Sequence, residues 1–239
     1  MKIIKNTEPH SCIWFDGDLW SECPSQFFDP SYWRQQRAVV GQAQGRGQAV
    51  FFQHAESQYV LRHYRRGGMV GNISHDRYLY LGAAQSRCWQ EFHLLSEIVK
   101  RGLPAPVPVA ARLVRDGLFY RADLITQRIR HAQDLSELLV TQRLSVEIWQ
   151  QVGFVIRQFH KAGVDHSDLN IHNIMLDREG KIWIIDLDKS RLRKKTGHWA
   201  KANLERLYRS LEKEQQRMAH WYWLKSDWQA LLQGYLGEH

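Results

Sequence analysis

The sequence predicts an α+β protein of two lobes, the first rich in β-strands and the second mainly helical and small. Short apolar runs with strand-like alternation fill the first half of the chain. Apolar residues at helical spacing dominate the second half. An extended segment around residues 126–132 separates the two patterns, so we divide the chain into residues 1–126 and residues 127–239.

The first lobe is expected to begin with an irregular, aromatic-rich leader over residues 1–37. Strand signals follow, and they flank one helix in which Trp89, Phe92, Leu95 and Val99 recur at helical spacing. Gly102 and Pro104 end that helix, because neither residue continues a helix well. The predicted strands cover residues 38–40, 49–52, 59–64, 112–114 and 118–129.

The second lobe opens with a capping box formed by Asp134 and Glu137. A strongly amphipathic helix from Val146 to Phe159 follows and ends at Gly163. Residues 174–176 and 182–185 predict a hairpin, and helices are expected from about Trp199. Apolar stripes in this tail favour a core position over a membrane-binding face. Trp223 lies off the second stripe, and nearby lysines and arginines keep a peripheral membrane role open.

Composition indicates an ordinary globular protein, with 44% hydrophobic and 24% charged residues. The first residues lack the apolar run of a signal peptide, and no run is long enough to span a membrane, so we expect a cytoplasmic protein. Three cysteines without metal-ligand spacing predict free thiols. A formal charge of +8 indicates an anionic partner, for which nucleic acid, nucleotide phosphates and an acidic membrane surface all qualify.

The most informative segment is residues 166–173, His-Ser-Asp-Leu-Asn-Ile-His-Asn, followed thirteen residues later by Asp186. This order and spacing is what a phosphotransferase of the protein-kinase type requires. Asp168 would act as the catalytic base that meets an acceptor hydroxyl. Asn173 and Asp186 would hold Mg²⁺ on the phosphates of ATP, and His166 would anchor the loop. ATP is then expected in the cleft between the lobes.

A glycine-rich stretch at residues 41–47 lies between two predicted strands. Backbone N–H groups of Gly45 and Gly47 could approach the ATP phosphates, because no Cβ blocks them. A plain hairpin is the alternative reading of the same stretch.

A kinase also needs a cation on its third strand, yet the chain has no lysine between residues 6 and 99. Arg62 occupies this position and would hold the ATP phosphates, with Glu91 as its helix partner and Glu97 as the rival. Arg62 could instead be one of several solvent-facing arginines. The missing lysine also keeps open a catalytically inactive, kinase-like binding module.

Several features of protein kinases that act on peptides are missing. Ser167 stands where many of them carry an arginine, and Asp186-Leu187-Asp188 replaces Asp-Phe-Gly. No Ala-Pro-Glu anchor follows, so a small or lipid-linked acceptor is favoured over a protein. Asp188 could contact a metal or the acceptor, or be a surface charge. The basic run 191–195 is either a solvated turn or a contact with an anionic acceptor or lipid headgroups.

Together these motifs resemble the lipopolysaccharide kinase family of the protein-kinase-like superfamily, and within it the kinases of 3-deoxy-D-manno-octulosonic acid (Kdo). The resemblance covers about residues 30–215, and the segment Leu-Arg-His-Tyr-Arg-Arg-Gly-Gly at 61–68 is its most specific part. Further matches are residues 45–47, 102–106, 166–173, 186–188 and 203–211.

The resemblance implies transfer of the γ-phosphate of ATP to the 4-hydroxyl of Kdo on a lipid A precursor. It implies Mg²⁺ and ATP as cofactors, and a peripheral position on the cytoplasmic face of the inner membrane. No nucleic-acid partner is expected. A heptose kinase of the lipopolysaccharide core is the closest alternative, since it would share the same metal site.

Overall fold

The chain divides into two compact units, of which the first is rich in β-strands and the second is mainly helical. The computed structural model describes residues 1–43, 49–65, 76–194 and 197–237. Met1–Glu97 and Pro106–Arg128 form the first unit, and Ile98–Ala105 and Ile129–His239 form the second. The predicted α+β class is therefore confirmed, while the functional division of the chain at residue 126 stays a prediction.

The first unit is built on one antiparallel sheet, in the order β1-β2-β7-β8-β5-β4-β3, with β6 pairing β8 beside β5. Its strands and helices are β1 (Ile3–Glu8), β2 (Ser11–Asp16), α1 (Pro30–Gln35), β3 (Val39–Ala43), β4 (Ala49–His54), β5 (Ser57–His63), β6 (Tyr78–Leu79), α2 (Arg87–Lys100), β7 (Pro108–Asp116) and β8 (Phe119–Gln127). Arg62 on β5 pairs with Ala49 on β4 and with Leu124 on β8, so its backbone lies in the middle of the sheet.

The expectation of an irregular leader over residues 1–37 is wrong. β1 and β2 form a hairpin, and β2 pairs with β7 as part of the sheet. Cys12 to Asp16 are all buried, so both faces of β2 are covered. A strand buried on both faces lacks alternation between apolar and polar residues, which is why the pattern did not indicate it.

Aromatic packing holds the rest of this leader against the sheet. Trp33 on α1 stacks on Phe52 with ring centroids 4.0 Å apart, and its indole N–H donates to the backbone oxygen of Phe27 at 2.7 Å. Trp20 donates its indole N–H to the hydroxyl of Tyr59 at 3.2 Å. These buried rings supply large apolar areas, and each indole finds a hydrogen-bond partner.

In its described residues from Ile129 onward, the second unit has four α-helices and five short strands. They are β9 (Gln133–Asp134), α3 (Leu135–Thr141), α4 (Val146–Lys161), β10 (Val164–Asp165), β11 (Ile174–Leu176), β12 (Ile182–Ile184), β13 (Arg191–Leu192), α5 (His198–Arg217) and α6 (Lys225–Leu236). Asp134 caps α3 by accepting from the backbone N–H of Glu137 at 3.0 Å, as predicted. Gly163 follows α4 with φ of +82°, a conformation that favours glycine.

The apolar stripe predicted from Trp221 to Tyr235 is only partly helical. Trp221 and Leu224 precede α6, and Leu224 is about half exposed. Trp223, which lies off the stripe, is buried instead, at 1% exposure. Trp223 therefore lies in the core and offers no ring to a membrane, while the peripheral membrane role that the nearby lysines and arginines left open stays a prediction.

Two glycines allow the backbones of α4 and α6 to touch. A Cβ at Gly153 would lie 1.9 Å from the carbonyl oxygen of Leu231, and a Cβ at Gly234 would lie 1.9 Å from that of Gln150. Real Cβ atoms do not approach carbonyl oxygens so closely, so any side chain here would force the helices apart. The contact therefore requires glycine at both positions.

We expect Gly153→Ala and Gly234→Ala each to lower the free energy of unfolding by roughly 1–3 kcal/mol, as overpacking does. Helix propensity alone predicts the opposite sign, since alanine favours a helix interior over glycine by about 1 kcal/mol. Urea unfolding followed by circular dichroism measures the difference. Gly197→Ala is the matched control, because its Cβ would lie at an ordinary 3.7 Å from Trp199. Stabilisation by either helix substitution would contradict the close contact.

Candidate functional site

The predicted site residues fall into both units and are described unit by unit. Asp168, Asn173 and Asp186 belong to the second unit, and Arg62 and Glu91 belong to the first. Gly45 and Gly47 lie outside the described residues, so their contact with phosphates stays a prediction.

The loop that carries Asp168 is held by the buried ring of His166. His166 Nε2 lies 3.0 Å from the carbonyl oxygen of Ile185, which can only accept. His166 Nδ1 lies 3.2 Å from the backbone nitrogen of Asp168, whose N–H can only donate. The ring must therefore be neutral, with its proton on Nε2. Burial also lowers the pKa of His166, which favours the same neutral form.

A second anchor for this loop comes from Asn203 on α5. Its side-chain oxygen accepts from the backbone N–H of His166 at 3.0 Å, and its side-chain nitrogen donates to Asp165 at 3.3 Å. Asn203 is buried, at 2% exposure, so these bonds are shielded from water. Hydrogen bonds thus hold both the backbone and the ring of His166.

Asn173 lies directly against the Asp168 loop. Its side-chain nitrogen donates to the backbone oxygen of Asp168 at 2.8 Å. Its backbone oxygen accepts from the N–H of Ile185, the residue before Asp186, at 3.0 Å. Among the described residues, no protein donor contacts the side-chain oxygen of Asn173, so this oxygen is available to a ligand.

Asp186 follows β12 with φ of +57°, the left-handed region that few non-glycine residues adopt. Aspartate tolerates this region better than most residues, and such strained positions cluster at functional sites. The short run from β12 through Ile185 brings Asp186 beside Asn173, and the loop bonds bring Asp168 to the same place.

The oxygen of Asn173 and the carboxylate of Asp186 suit Mg²⁺. This cation prefers oxygen ligands and usually takes one or two protein carboxylates, with waters and substrate phosphates completing the shell. The described residues hold no group of three or more His, Cys, Asp and Glu side chains arranged for a metal. Asn173 and Asp186 would fill only part of the coordination shell of Mg²⁺, so positions on the metal remain for substrate phosphates.

In the first unit, Arg62 and Glu91 form an ion pair with 2.5 Å between Nη2 and Oε1. The hydroxyl of Tyr64 donates to Oε2 of the same carboxylate at 2.6 Å. Glu91 is buried, at 3% exposure, while Arg62 is about a quarter exposed. Glu91 therefore binds the guanidinium of Arg62 from the buried side, and about a quarter of the arginine side chain stays accessible to solvent.

Burial raises the pKa of Tyr64 well above its usual range, and the charge of Glu91 adds to this. The hydroxyl therefore keeps its proton and remains a donor to Glu91. Tyr64 was not predicted as a site residue, although strand alternation places it on the same face as Arg62.

Ser167 is tied to the segment that follows Asp186. Its hydroxyl donates to the backbone oxygen of Asp188 at 2.6 Å, and its N–H donates to the hydroxyl of Ser190 at 3.1 Å. Asn203 and Ser190 were also missed by sequence analysis. Their contacts could not be predicted locally, because the partners lie more than twenty residues away along the chain, although Asn203 begins the segment 203–211 that carries part of the family resemblance.

No helix in the described part of the chain combines the length and the apolar character that crossing a bilayer requires. Cys12, Cys23 and Cys88 are free and buried, in agreement with the prediction of free thiols.

Comparisons with known proteins agree with these motifs. The model of the lipopolysaccharide kinase (Kdo/WaaP) family matches residues 30–235. A 3-deoxy-D-manno-octulosonic acid kinase of Vibrio parahaemolyticus is 46% identical over 90% of both chains. Proteins of the same name from Vibrio vulnificus and Vibrio cholerae are each 44% identical, the first over 94% of both chains, the second over 84% of this chain and 86% of its own.

Among solved structures, the kinase PK-1 of Cydia pomonella granulovirus is similar over 72% of this chain and 58% of its own, with a TM-score of 0.44 and 13% identity. So distant a likeness carries no argument. The family model and the three bacterial relatives do, and they confirm both the predicted resemblance and the class of enzyme, a phosphotransferase acting on an alcohol group. The chain belongs to the lipopolysaccharide kinase (Kdo/WaaP) family.

Proposed function

We propose that the chain transfers the γ-phosphate of ATP to the 4-hydroxyl of Kdo on a lipid A precursor, Kdo–lipid IVA. The observation that carries this proposal is the Asp168 loop, fixed by His166 and bonded to Asn173 next to Asp186. The identity to relatives named as Kdo kinases supports the choice of acceptor.

Asp168 would orient the acceptor hydroxyl and take its proton. The hydroxyl oxygen then attacks the γ-phosphorus, the bond from that phosphorus to the oxygen of ADP breaks, and the proton ends on the carboxylate of Asp168. The side chain of Asp168 is exposed, so an acceptor can reach it. Catalysis of this kind depends mainly on positioning and charge neutralisation, which the fixed loop supplies.

Two groups of residues would bind the phosphates of ATP. Asn173 and Asp186 would bind Mg²⁺, which neutralises phosphate charge when it is present. Arg62, oriented by Glu91 and Tyr64, would contact the phosphates through its accessible guanidinium, and Gly45 and Gly47 would contribute backbone N–H groups.

We further propose that the enzyme works at the cytoplasmic face of the inner membrane as a peripheral protein, with no nucleic-acid partner. The formal charge of +8 supports attraction to a membrane surface and to an acceptor that carries a carboxylate and phosphates. Such attraction weakens with added salt, because screening shortens its range.

The acceptor is tested by offering radiolabelled ATP and Mg²⁺ with two acceptors in parallel, Kdo–lipid IVA and a heptose-bearing core lipid. We expect label in the Kdo lipid alone, at its 4-position when the product is mapped by NMR. Label in the heptose lipid alone would identify a heptose kinase, and label in neither would contradict the proposal.

Asp168→Asn is the companion variant in this assay. It keeps the size of an exposed side chain but removes the base, so kcat should fall on the order of 10²–10⁴-fold. ATP affinity should stay unchanged, since Asp168 is not proposed to contact ATP. Glu179→Gln, in the exposed turn between β11 and β12, is the matched control and should be fully active. Near-normal turnover by Asp168→Asn would contradict its role.

Arg62→Gln should weaken Mg²⁺–ATP binding by about 10-fold or more, because a charge-assisted contact to phosphate is lost. Arg62→Lys keeps a cation beside buried Glu91 and should bind ATP better than Arg62→Gln. Isothermal titration calorimetry measures both affinities, and a thermal melt without ATP separates loss of binding from loss of fold. Arg65→Gln, three residues along and exposed, is the control. ATP binding by Arg62→Gln at the wild-type level would contradict the role of Arg62.

A further inference from the structure

The second unit contains a basic pocket of about 300 Å³ beside the loop that carries Asp168. Ser167, the residue before Asp168, forms part of its wall. Lys189, Arg191 and Arg206 bring positive charge to the same pocket, and Trp199 supplies a partly apolar side.

Among the residues that the structure describes, the positive charges of this pocket outnumber the negative ones. Its one carboxylate, Asp165, already binds Arg193 through Nη2 at 2.9 Å and Nε at 3.0 Å, and it accepts from Asn203. In the described part of the chain, Lys189, Arg191 and Arg206 form no ion pair. Three uncompensated cations around a concavity create a positive potential that attracts an anion.

The pocket wall is rigidly connected to the catalytic loop. β13 pairs with β10, so Arg191 lies opposite Asp165 in the ladder. The backbone N–H of Arg193 donates to the oxygen of Gly163 at 2.7 Å, and a Cβ on Gly163 would collide with the oxygen of Arg193 at 2.2 Å. Together with the bonds of Ser167 to residues 188 and 190, this ladder fixes Arg191 relative to the Asp168 loop.

Lys189 adds an independent sign of function. Its φ is +61°, a left-handed conformation that costs a lysine more than it costs a glycine. Residues kept in such conformations cluster at binding sites. The turn that holds Lys189 in place is closed by the N–H of Ser190, which donates to the oxygen of Leu187 at 3.0 Å.

We propose that Lys189, Arg191 and Arg206 form a subsite that binds an anionic group, a carboxylate or a phosphate, carried by the acceptor. Arginine heads match the geometry of both anions, and Trp199 would pack against the apolar side of the sugar. The subsite would hold the acceptor beside Asp168, so it rests on the proposed function of that residue. Arg193 is excluded from the subsite, because Asp165 occupies its guanidinium.

The test has three parts. The first measures binding of a soluble, deacylated Kdo–lipid A sugar by isothermal titration calorimetry, with no ATP present. The variants are Lys189→Gln, Arg191→Gln and Arg206→Gln, and the control is Arg209→Gln, an exposed arginine one turn along α5 that does not line the pocket. Each pocket variant should lose about 10-fold in affinity, while the control binds as wild type does.

The second part measures phosphate transfer to the Kdo lipid in neutral micelles. The pocket variants should raise KM for the acceptor by about 10-fold and leave kcat and KM for ATP nearly unchanged. Lys189→Gly removes the charge while suiting the left-handed backbone, so an equal rise in KM with an unchanged melting temperature identifies the charge as the cause.

The outcomes separate the subsite from the function. Loss of sugar binding in the pocket variants supports the subsite even if no phosphate is transferred, in which case the proposed function alone fails. Unchanged sugar affinity and unchanged KM would overturn the subsite even in an active kinase. Vesicles of phosphatidylglycerol form the third arm: if the variants lose vesicle binding but keep sugar binding, the cations serve lipid headgroups and the subsite is overturned.

Discussion

The neutral ring of His166 makes the two hydrogen bonds that hold the loop carrying Asp168. Nε2–H donates to the carbonyl of Ile185, and Nδ1 accepts from the N–H of Asp168. One bond sets the end of the strand before Asp186, and the other sets the loop that carries Asp168. Each bond contributes about 1 kcal/mol to the net free energy of folding. A buried partner left without its hydrogen bond costs about 1–3 kcal/mol, so breaking either bond destabilises the loop by more than the bond itself contributes.

Protonation of this ring would replace the acceptor at Nδ1 with a second donor that faces the N–H of Asp168. Because burial lowers the pKa of His166, the folded loop keeps the neutral ring below the usual value of 6.5. The stabilisation is fully present above that value, and it declines as the pH falls toward the lowered pKa. Nearby Arg206 also disfavours the charged ring, which links the basic pocket to the same histidine.

In the first unit, the buried carboxylate of Glu91 orients Arg62, as His166 orients the loop of Asp168 in the second unit. Glu91 is satisfied by Arg62 on one oxygen and by Tyr64 on the other, so its charge is compensated and its orientation fixed. An arginine held in this way presents a planar head in one orientation, which a lysine on a flexible stem would not do. Tyr64, two residues after Arg62, therefore helps to explain why an arginine stands where a protein kinase is expected to carry a lysine.

Local sequence patterns predicted the features that depend on interactions between residues close together in the sequence. The cap at Asp134, the α4 helix and the approach of Asn173 to the Asp168 loop are of this kind, while the roles of Asp168, Asn173 and Asp186 stay predictions. The β1–β2 hairpin was missed, since β2 is buried on both faces and shows no alternation. The role of Asn203 was not predicted, and neither was the ion pair with Asp165 that distinguishes Arg193 from Arg191. Both depend on contacts between segments far apart in the sequence.

The central claim, that a neutral His166 positions Asp168, is tested most directly by ¹⁵N NMR of the histidine rings, with His166→Gln used to assign the signal. The account predicts a protonated Nε2 and an unprotonated Nδ1 at neutral pH, and a neutral ring that persists below the usual pKa of 6.5. A ring that carries its proton on Nδ1, or one that titrates near the usual pKa of about 6.5, would contradict it.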